Sequence, residues 1–291
     1  MTKLSCNYEN HIRKNSMPLP FIDSIRKQIS QQGGISGTDS SQGFAYDFDF
    51  STPIIATAIH AGHHVRDELI PLMEIPQNHR LFEEDTATEE MIQGLSNTIW
   101  GLESRAVYDL NRSPDLALPL TPEKFWGIKV YGTQPTPEMN QRSLESHARF
   151  YDFMGTIVSH MLDKFNVCIV LDIHSYNISR QIEKGFASPP VFNLGTESLD
   201  RVKWKKQIQT WIMALESISL PREITTVVAE NEIFSGKGQL CEYLGTWDDR
   251  ILVLPTEVSK VYMDEHTGKV YGEVVEAIRD EFHRIVPQLS W

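Results

Sequence analysis

The sequence predicts an α/β protein: a three-layer α/β/α architecture on a mixed, largely parallel sheet. Three observations lead there. Several short runs are almost continuously apolar, as strands buried on both faces are. Between them lie longer stretches with apolar residues about four apart, as helices packed on a sheet have. The two kinds of segment alternate along the chain. The 291 residues are enough for one sizeable core. The division expected is an N-terminal extension over 1–45 and a single domain over 46–291.

The Gly/Ser stretch 33–43 reads as a loop. The strand after it ends in Ile54 to Ile59 and runs directly into His60. Residues 86–103 read as a helix, with a capping-box pattern at Thr86 and Glu89 and Met91, Leu95 and Ile99 four apart. A longer helix is expected over 138–165. The run Val167 to Ile173 is a second buried strand, ending at His174. Further strands are expected at Val191–Leu194, closed by Gly195, at Ile224–Ala229 and at Ile251–Leu254, which leads to Glu257. Residues 199–215 read as helix, as does a last segment carrying Val270, Val274, Ile278 and Phe282.

Composition limits the function classes. The net charge of −12 argues against nucleic acid as a partner. An anionic small molecule stays compatible, because a local arginine cluster can sit inside an acidic shell. Cys6, Cys168 and Cys241 are far apart, without CxxC spacing, which suggests a reducing compartment and no disulfide framework. No apolar run reaches membrane-spanning length, and the first 20 residues lack the apolar core of a signal peptide. The expectation is a cytoplasmic protein without a membrane partner.

Ligands of open α/β sheets bind outside the carboxyl ends of the strands. Three such ends here carry chemistry: His60-Ala61-Gly62-His63-His64, Asp172-Ile173-His174-Ser175-Tyr176-Asn177, and Glu257. On a turn or first helical turn, His60 and His63 would face one side, with Gly62 letting the backbone bend between them. With His174 they would make three ligands and leave an open position, the pattern of a catalytic zinc site. Zn2+ is the default for a histidine-rich hydrolytic site, with other divalent metals as alternatives. His64 is expected behind the ligands or exposed. The histidines at 11, 79, 147, 160, 266 and 283 are read as structural or surface groups.

Glu257, in the apolar context Val-Leu-Pro-Thr-Glu-Val, is the candidate general base. An ion pair with Lys260 is its structural alternative. Arg105, Asn111 and Arg112 are candidates for gripping a substrate carboxylate, because a guanidinium matches it bidentately. Asp109 could fix either arginine. The run Glu83-Glu84-Asp85 suits a helix N-terminus. Glu84 or Asp85 is a further candidate for a metal ligand or for a group that orients one.

Taken in order, these segments resemble the N-formylglutamate amidohydrolase family. The resemblance rests on His60-Ala61-Gly62-His63, Glu83-Glu84-Asp85-Thr86, Ser104-Arg105 through Asp109-Leu110-Asn111-Arg112, and Asp172 to Asn177. Asn193-Leu194-Gly195-Thr196, Glu230-Asn231 and Met263 to Gly268 extend it over roughly residues 50–285. It implies a phosphorylase/hydrolase-like fold related to zinc carboxypeptidases and aspartoacylase. It also implies carboxylate binding by Asn111 and Arg112 with help from Arg105, and a general base at Glu257. Two departures stand out. Relatives carry a glutamate where this chain has His63, which would keep a ligand there or move it to Glu84 or Asp85. The strings Ile-His-Ala-Gly and His-Ser-Tyr replace Pro-His-Ser-Gly and His-Ser-Met.

The activity so implied is metal-dependent hydrolysis of a linear amide in a small carboxylate-bearing substrate, N-formylglutamate-like. The alternatives are a carboxypeptidase-like or N-acyl amino acid hydrolase, and a non-catalytic ligand-binding or regulatory homologue.

Overall fold

The structure, a computed structural model, describes residues 20–289. Cys6, His11 and the first nineteen residues of the expected extension lie outside the described residues.

The elements that place the site are, in chain order, α1 (Pro20–Gln32), β1 (Ile35–Thr38), β2 (Phe44–Phe48) and β3 (Ile54–Ala58). Then come α2 (Gln77–Glu83), α3 (Thr88–Ile92), β4 (Asn97–Gly101), α4 (Pro137–Phe165) and β5 (Cys168–Tyr176). After these follow α5 (Ile178–Glu183), β6 (Phe192–Leu194), α6 (Lys205–Glu216) and β7 (Val228–Glu230). The last are α7 (Gln239–Gly245), β8 (Ile251–Ser259) and α8 (Gly272–Ile285). Among the described residues, eight strands form one sheet in the order β1-β2-β4-β3-β5-β8-β6-β7. The central run β4-β3-β5-β8 is parallel, and antiparallel pairs join β1 to β2, β2 to β4 and β8 to β6. This is the α/β fold with a mixed, largely parallel sheet that the sequence predicts.

The central strands are apolar throughout because each of their faces meets a core. Successive strand residues point to opposite faces. Ile55, Cys168, Val170, Ile251 and Val253 face one core with α1, α4 and α7, built around Phe44, Phe150, Phe153 and Leu240. Ile54, Ala56, Ile169, Leu171, Leu252 and Leu254 face the other with α3, α6 and α8, built around Met91, Trp211, Ile278 and Phe282. The helix α4 starts where Thr136 accepts a hydrogen bond from the Met139 amide and Pro137 fixes the first turn. It ends at Asn166, whose φ of 60° stops the spiral.

Several local expectations change. The stretch 33–43 is not all loop: Ile35–Thr38 pairs antiparallel with β2 at the sheet edge. Ile22 and Ile25 of α1 are buried in the same core as Phe44. Residues 86–103 form not one helix but the short α3 and then β4, separated by Gly94 at φ 85°. A spacing of four is even, so it also keeps side chains on one face of a strand, and periodicity alone cannot separate the two. No capping box forms there: the residue at the N-cap is Ala87, at φ 65°, and the buried Thr86 hydroxyl finds no partner. The predicted helix over 199–215 begins only at Lys205, the strand over 224–229 narrows to Val228–Glu230, and Val270 lies in a two-residue ribbon before α8. The second buried strand runs past His174 to Tyr176.

The chain leaves β3 for β4 on one side and later returns to β5 on the other. The carboxyl ends of β3 and β5 therefore flank a topological switch point, where such sheets open a crevice.

Candidate metal centre and its cleft

His60 lies two residues beyond β3, and His174 lies near the carboxyl end of β5. Both are buried, as is Asp85. Their rings meet with Nδ1 facing Nδ1 at 3.2 Å, and Asp85 Oδ2 lies 3.1 Å from the His174 Nδ1 and 3.4 Å from that of His60. Three ligand atoms at about 2.0–2.1 Å from a tetrahedral zinc lie about 3.3–3.4 Å from one another. The three separations here match that spacing, so the donor set fits a divalent cation in both chemistry and size. Among the described residues, His60, Asp85 and His174 are the group that could hold one.

The outer ring nitrogens explain the orientation. The His60 Nε2 lies 2.8 Å from Asp109 Oδ1, and the His174 Nε2 lies 3.0 Å from Asp172 Oδ2. A carboxylate beside each Nε2 favours the tautomer with its proton there, which would leave the Nδ1 lone pair for a cation, the usual support of a metal-binding imidazole. Asp172 is fixed by the Thr57 hydroxyl at 2.6 Å, and Asp109 by Arg105 and the Asn111 amide at 2.8 Å each. Burial opposes charge on all three carboxylates. When the rings are protonated, His174 and His60 nevertheless hold Asp85 well below the usual range, as Arg105 and His60 do for Asp109. Burial likewise works against a charged His174, yet Asp172 raises it well above its ordinary value.

His63 does not join the group. Its Nδ1 lies 2.5 Å from Glu84 Oε2, and its side chain is 39% exposed. Residues 61–63 are not helical and run beside 102–104, where the His64 amide donates to the Leu102 carbonyl. The argument that residues three apart share a side therefore does not hold there. Gly62 serves a close approach rather than a bend: a Cβ on it would sit 2.4 Å from the Leu102 carbonyl carbon. Of the two acidic candidates, Asp85 reaches the histidines. Glu84 is buried and taken up by His63, by Arg80 at 2.7 Å and by the Ser104 hydroxyl.

Glu257 on β8 is the register partner of His174 on β5, so both side chains leave the same face of the sheet. Burial pushes its carboxyl up to about 8; Asp85 and Asp172 reinforce the rise, and His174 opposes it. The amine of Lys260 instead donates to the Phe82 carbonyl at 2.6 Å.

A cleft of about 350 Å3 opens over this group, lined by His60, Asp85, His174 and Glu257 and also by Arg105 and Asn111. Arg112 is not on its wall; its Nε lies 3.4 Å from Asp109 Oδ2, behind the site. Asp109 thus anchors both arginines and His60. Sequence reasoning missed three groups. Arg180 lines the cleft and donates to both oxygens of Glu83, at 2.9 Å through Nη1. Trp126 lies across Arg105, whose Cζ is 4.4 Å from the ring centroid. Asp172 orients His174, and the Asp-x-His spacing on a strand, which puts both on one face, was the available signal.

The fold and site define an α/β protein with a buried His–Asp–His candidate metal centre at the carboxyl edge of its sheet. More particularly, the chain belongs to the N-formylglutamate amidohydrolase family, whose model matches residues 52–285. The N-formylglutamate amidohydrolase from Ralstonia eutropha JMP134 superposes with a TM-score of 0.67 at 18% identity, covering 85% of this chain and 98% of that one. A gene product from Agrobacterium tumefaciens gives a TM-score of 0.54 at 14% identity, covering 88% and 98%. At these identities the likeness speaks for the fold. No curated protein matches the chain by sequence. Among the described residues, no helix is long and apolar enough to cross a membrane.

Proposed function

We propose that this chain is a metal-dependent amidohydrolase that cleaves a linear amide in a small carboxylate-bearing molecule, of which N-formyl-L-glutamate is the first candidate. The observation that carries the reading is the convergence of His60 Nδ1, His174 Nδ1 and Asp85 Oδ2 within 3.1–3.4 Å of one another at the floor of the cleft. In this reading those three residues hold the metal, and His63 stays outside. A bound zinc would supply a Lewis acid that polarises the scissile carbonyl and makes water acidic enough to react near neutral pH.

The remaining steps belong to the chain. Arg105 and Asn111, on the cleft wall, orient the substrate carboxylate, with Arg112 steadying Asp109 behind them. Glu257 takes the proton from the attacking water as the new C–O bond forms. It returns that proton to the nitrogen as the C–N bond breaks. Its environment suits both halves, since burial favours the protonated carboxyl and a neighbouring cation would favour the carboxylate.

The test is hydrolysis of N-formyl-L-glutamate, N-acetyl-L-glutamate and a glutamyl peptide by protein loaded with zinc, beside His174→Ala. Release of the free amino acid by the wild type, abolished in the variant together with bound zinc, supports the reading. Hydrolysis that survives both chelation and His174→Ala would sink it. A preference for acetyl or peptidyl glutamate would favour an N-acyl amino acid hydrolase or carboxypeptidase-like activity.

A further inference from the structure

We infer that the cleft contains an aromatic subsite, formed by Trp126 and Phe234, that binds a ring-sized apolar group on a carboxylate-bearing substrate. The inference deepens the proposed function and rests on it for the identity of the reacting amide.

Trp126 and Phe234 are large apolar side chains left 41% and 40% exposed, and both line the cleft that contains the candidate metal centre. Most of the other lining side chains are polar or charged. The part of each ring left open to solvent inside a concave polar site offers apolar surface to a ligand.

The Trp126 ring and the loop that carries Phe234 are positioned in advance. Trp126 is a non-glycine residue at φ 49° followed by Gly127 at φ 81°, a backbone that places its side chain at a cost surrounding contacts must offset. Three guanidinium groups lie against the ring, with the Cζ atoms of Arg105, Arg112 and Arg180 at 4.4, 5.4 and 5.8 Å from its centroid. Phe125 packs against it edge-on. The Phe234 loop is tied to the sheet by Asn193, whose amide donates to the Phe234 carbonyl at 2.8 Å and accepts from the Glu232 and Ile233 amides at 2.9 Å. Asn193 is itself the register partner of Glu257, so the loop that carries Phe234 is pinned next to the candidate base. A ligand ring would find these surfaces already ordered, which lowers the entropy lost on binding. A cleft of about 350 Å3 also has room beyond a formyl amino acid.

The experiment is isothermal titration of the full chain, freed of metal by chelation so that nothing is turned over. The ligands are N-formyl-L-glutamate, N-benzoyl-L-glutamate and N-formyl-L-phenylalanine, against wild type, Trp126→Ala, Phe234→Ala and Trp126→Phe. The expected result is that at least one ring-bearing ligand binds roughly tenfold more tightly than N-formyl-L-glutamate. Phe234→Ala should lose most of that gain and leave N-formyl-L-glutamate within about twofold; Trp126→Ala, which also removes the packing on Arg105, should weaken ring-bearing ligands more than N-formyl-L-glutamate, and Trp126→Phe should restore the difference in part. Equal binding of all three ligands by the wild type overturns the subsite. So does a Phe234→Ala variant that weakens every ligand alike. Tight ring-dependent binding without hydrolysis after zinc loading would leave the subsite standing and count against the hydrolase reading, so the two can fail separately.

Discussion

His60 and His174, 114 positions apart in the chain, face each other across the switch point of the sheet with their Nδ1 atoms 3.2 Å apart. Each is turned inward by its own aspartate, Asp109 for His60 and Asp172 for His174. Much of what can be tested follows from that arrangement.

Removing either orienting carboxylate should weaken metal binding without unfolding the chain. Asp172→Asn and Asp109→Asn are each expected to lower zinc affinity by about 10–100-fold, read by competition with a chromophoric chelator. The Asp109 variant should lose more, because the same carboxylate also holds Arg105 and Arg112. Wild-type affinity in both would show that the two histidines do not act as inward-facing ligands.

Glu257→Gln should separate catalysis from metal binding. Glu257 is outside the three-donor group, so zinc content by elemental analysis should remain that of the wild type. Turnover should fall by about 10²–10⁴-fold, the usual range for losing a general base. A variant that loses its zinc, or keeps its rate, would contradict the assigned role.

Lys260 gives a pH signature. Burial lowers its ammonium from 10.5 to about 8. Between those values the unfolded chain binds the proton and the folded chain does not, so folding stability rises as pH increases through that window. Relative to Lys260→Met, the wild type should gain about 3 kcal/mol between pH 8 and pH 10.5, measured by urea unfolding of each protein. A flat difference across this window would mean that the amine is charged in the fold.

Gly62→Ala should destabilise the protein by about 2–3 kcal/mol. The added Cβ would meet Leu102 carbonyl atoms at 2.4 and 2.5 Å and the Glu103 carbonyl oxygen at 2.6 Å, all backbone. The segment leading out of β3 would have to part from residues 102–103. An alanine variant with the unfolding midpoint of the wild type would show that this approach relaxes freely.

The buried strands of the parallel centre were legible because both of their faces meet a core, which writes an apolar run into each. His60, His174 and Glu257 were legible because each lies at or near the exit of such a run. The 86–103 segment was not, since apolar residues four apart suit a helix and a strand equally. Arg180 and Trp126 left no mark in their own neighbourhoods; their roles come from cleft walls assembled out of distant segments.

The sequence by itself determined the α/β class, the strand exits that bear the histidines, and the family. Only the tertiary structure chose Asp85 over His63 beside His60 and His174. Local spacing sets which side chains share one turn. Which residues could share a metal is set by which lone pairs meet in space, and here the candidate group depended on residues 61–63 running alongside 102–104 while the end of α2 brought Asp85 in from another part of the chain.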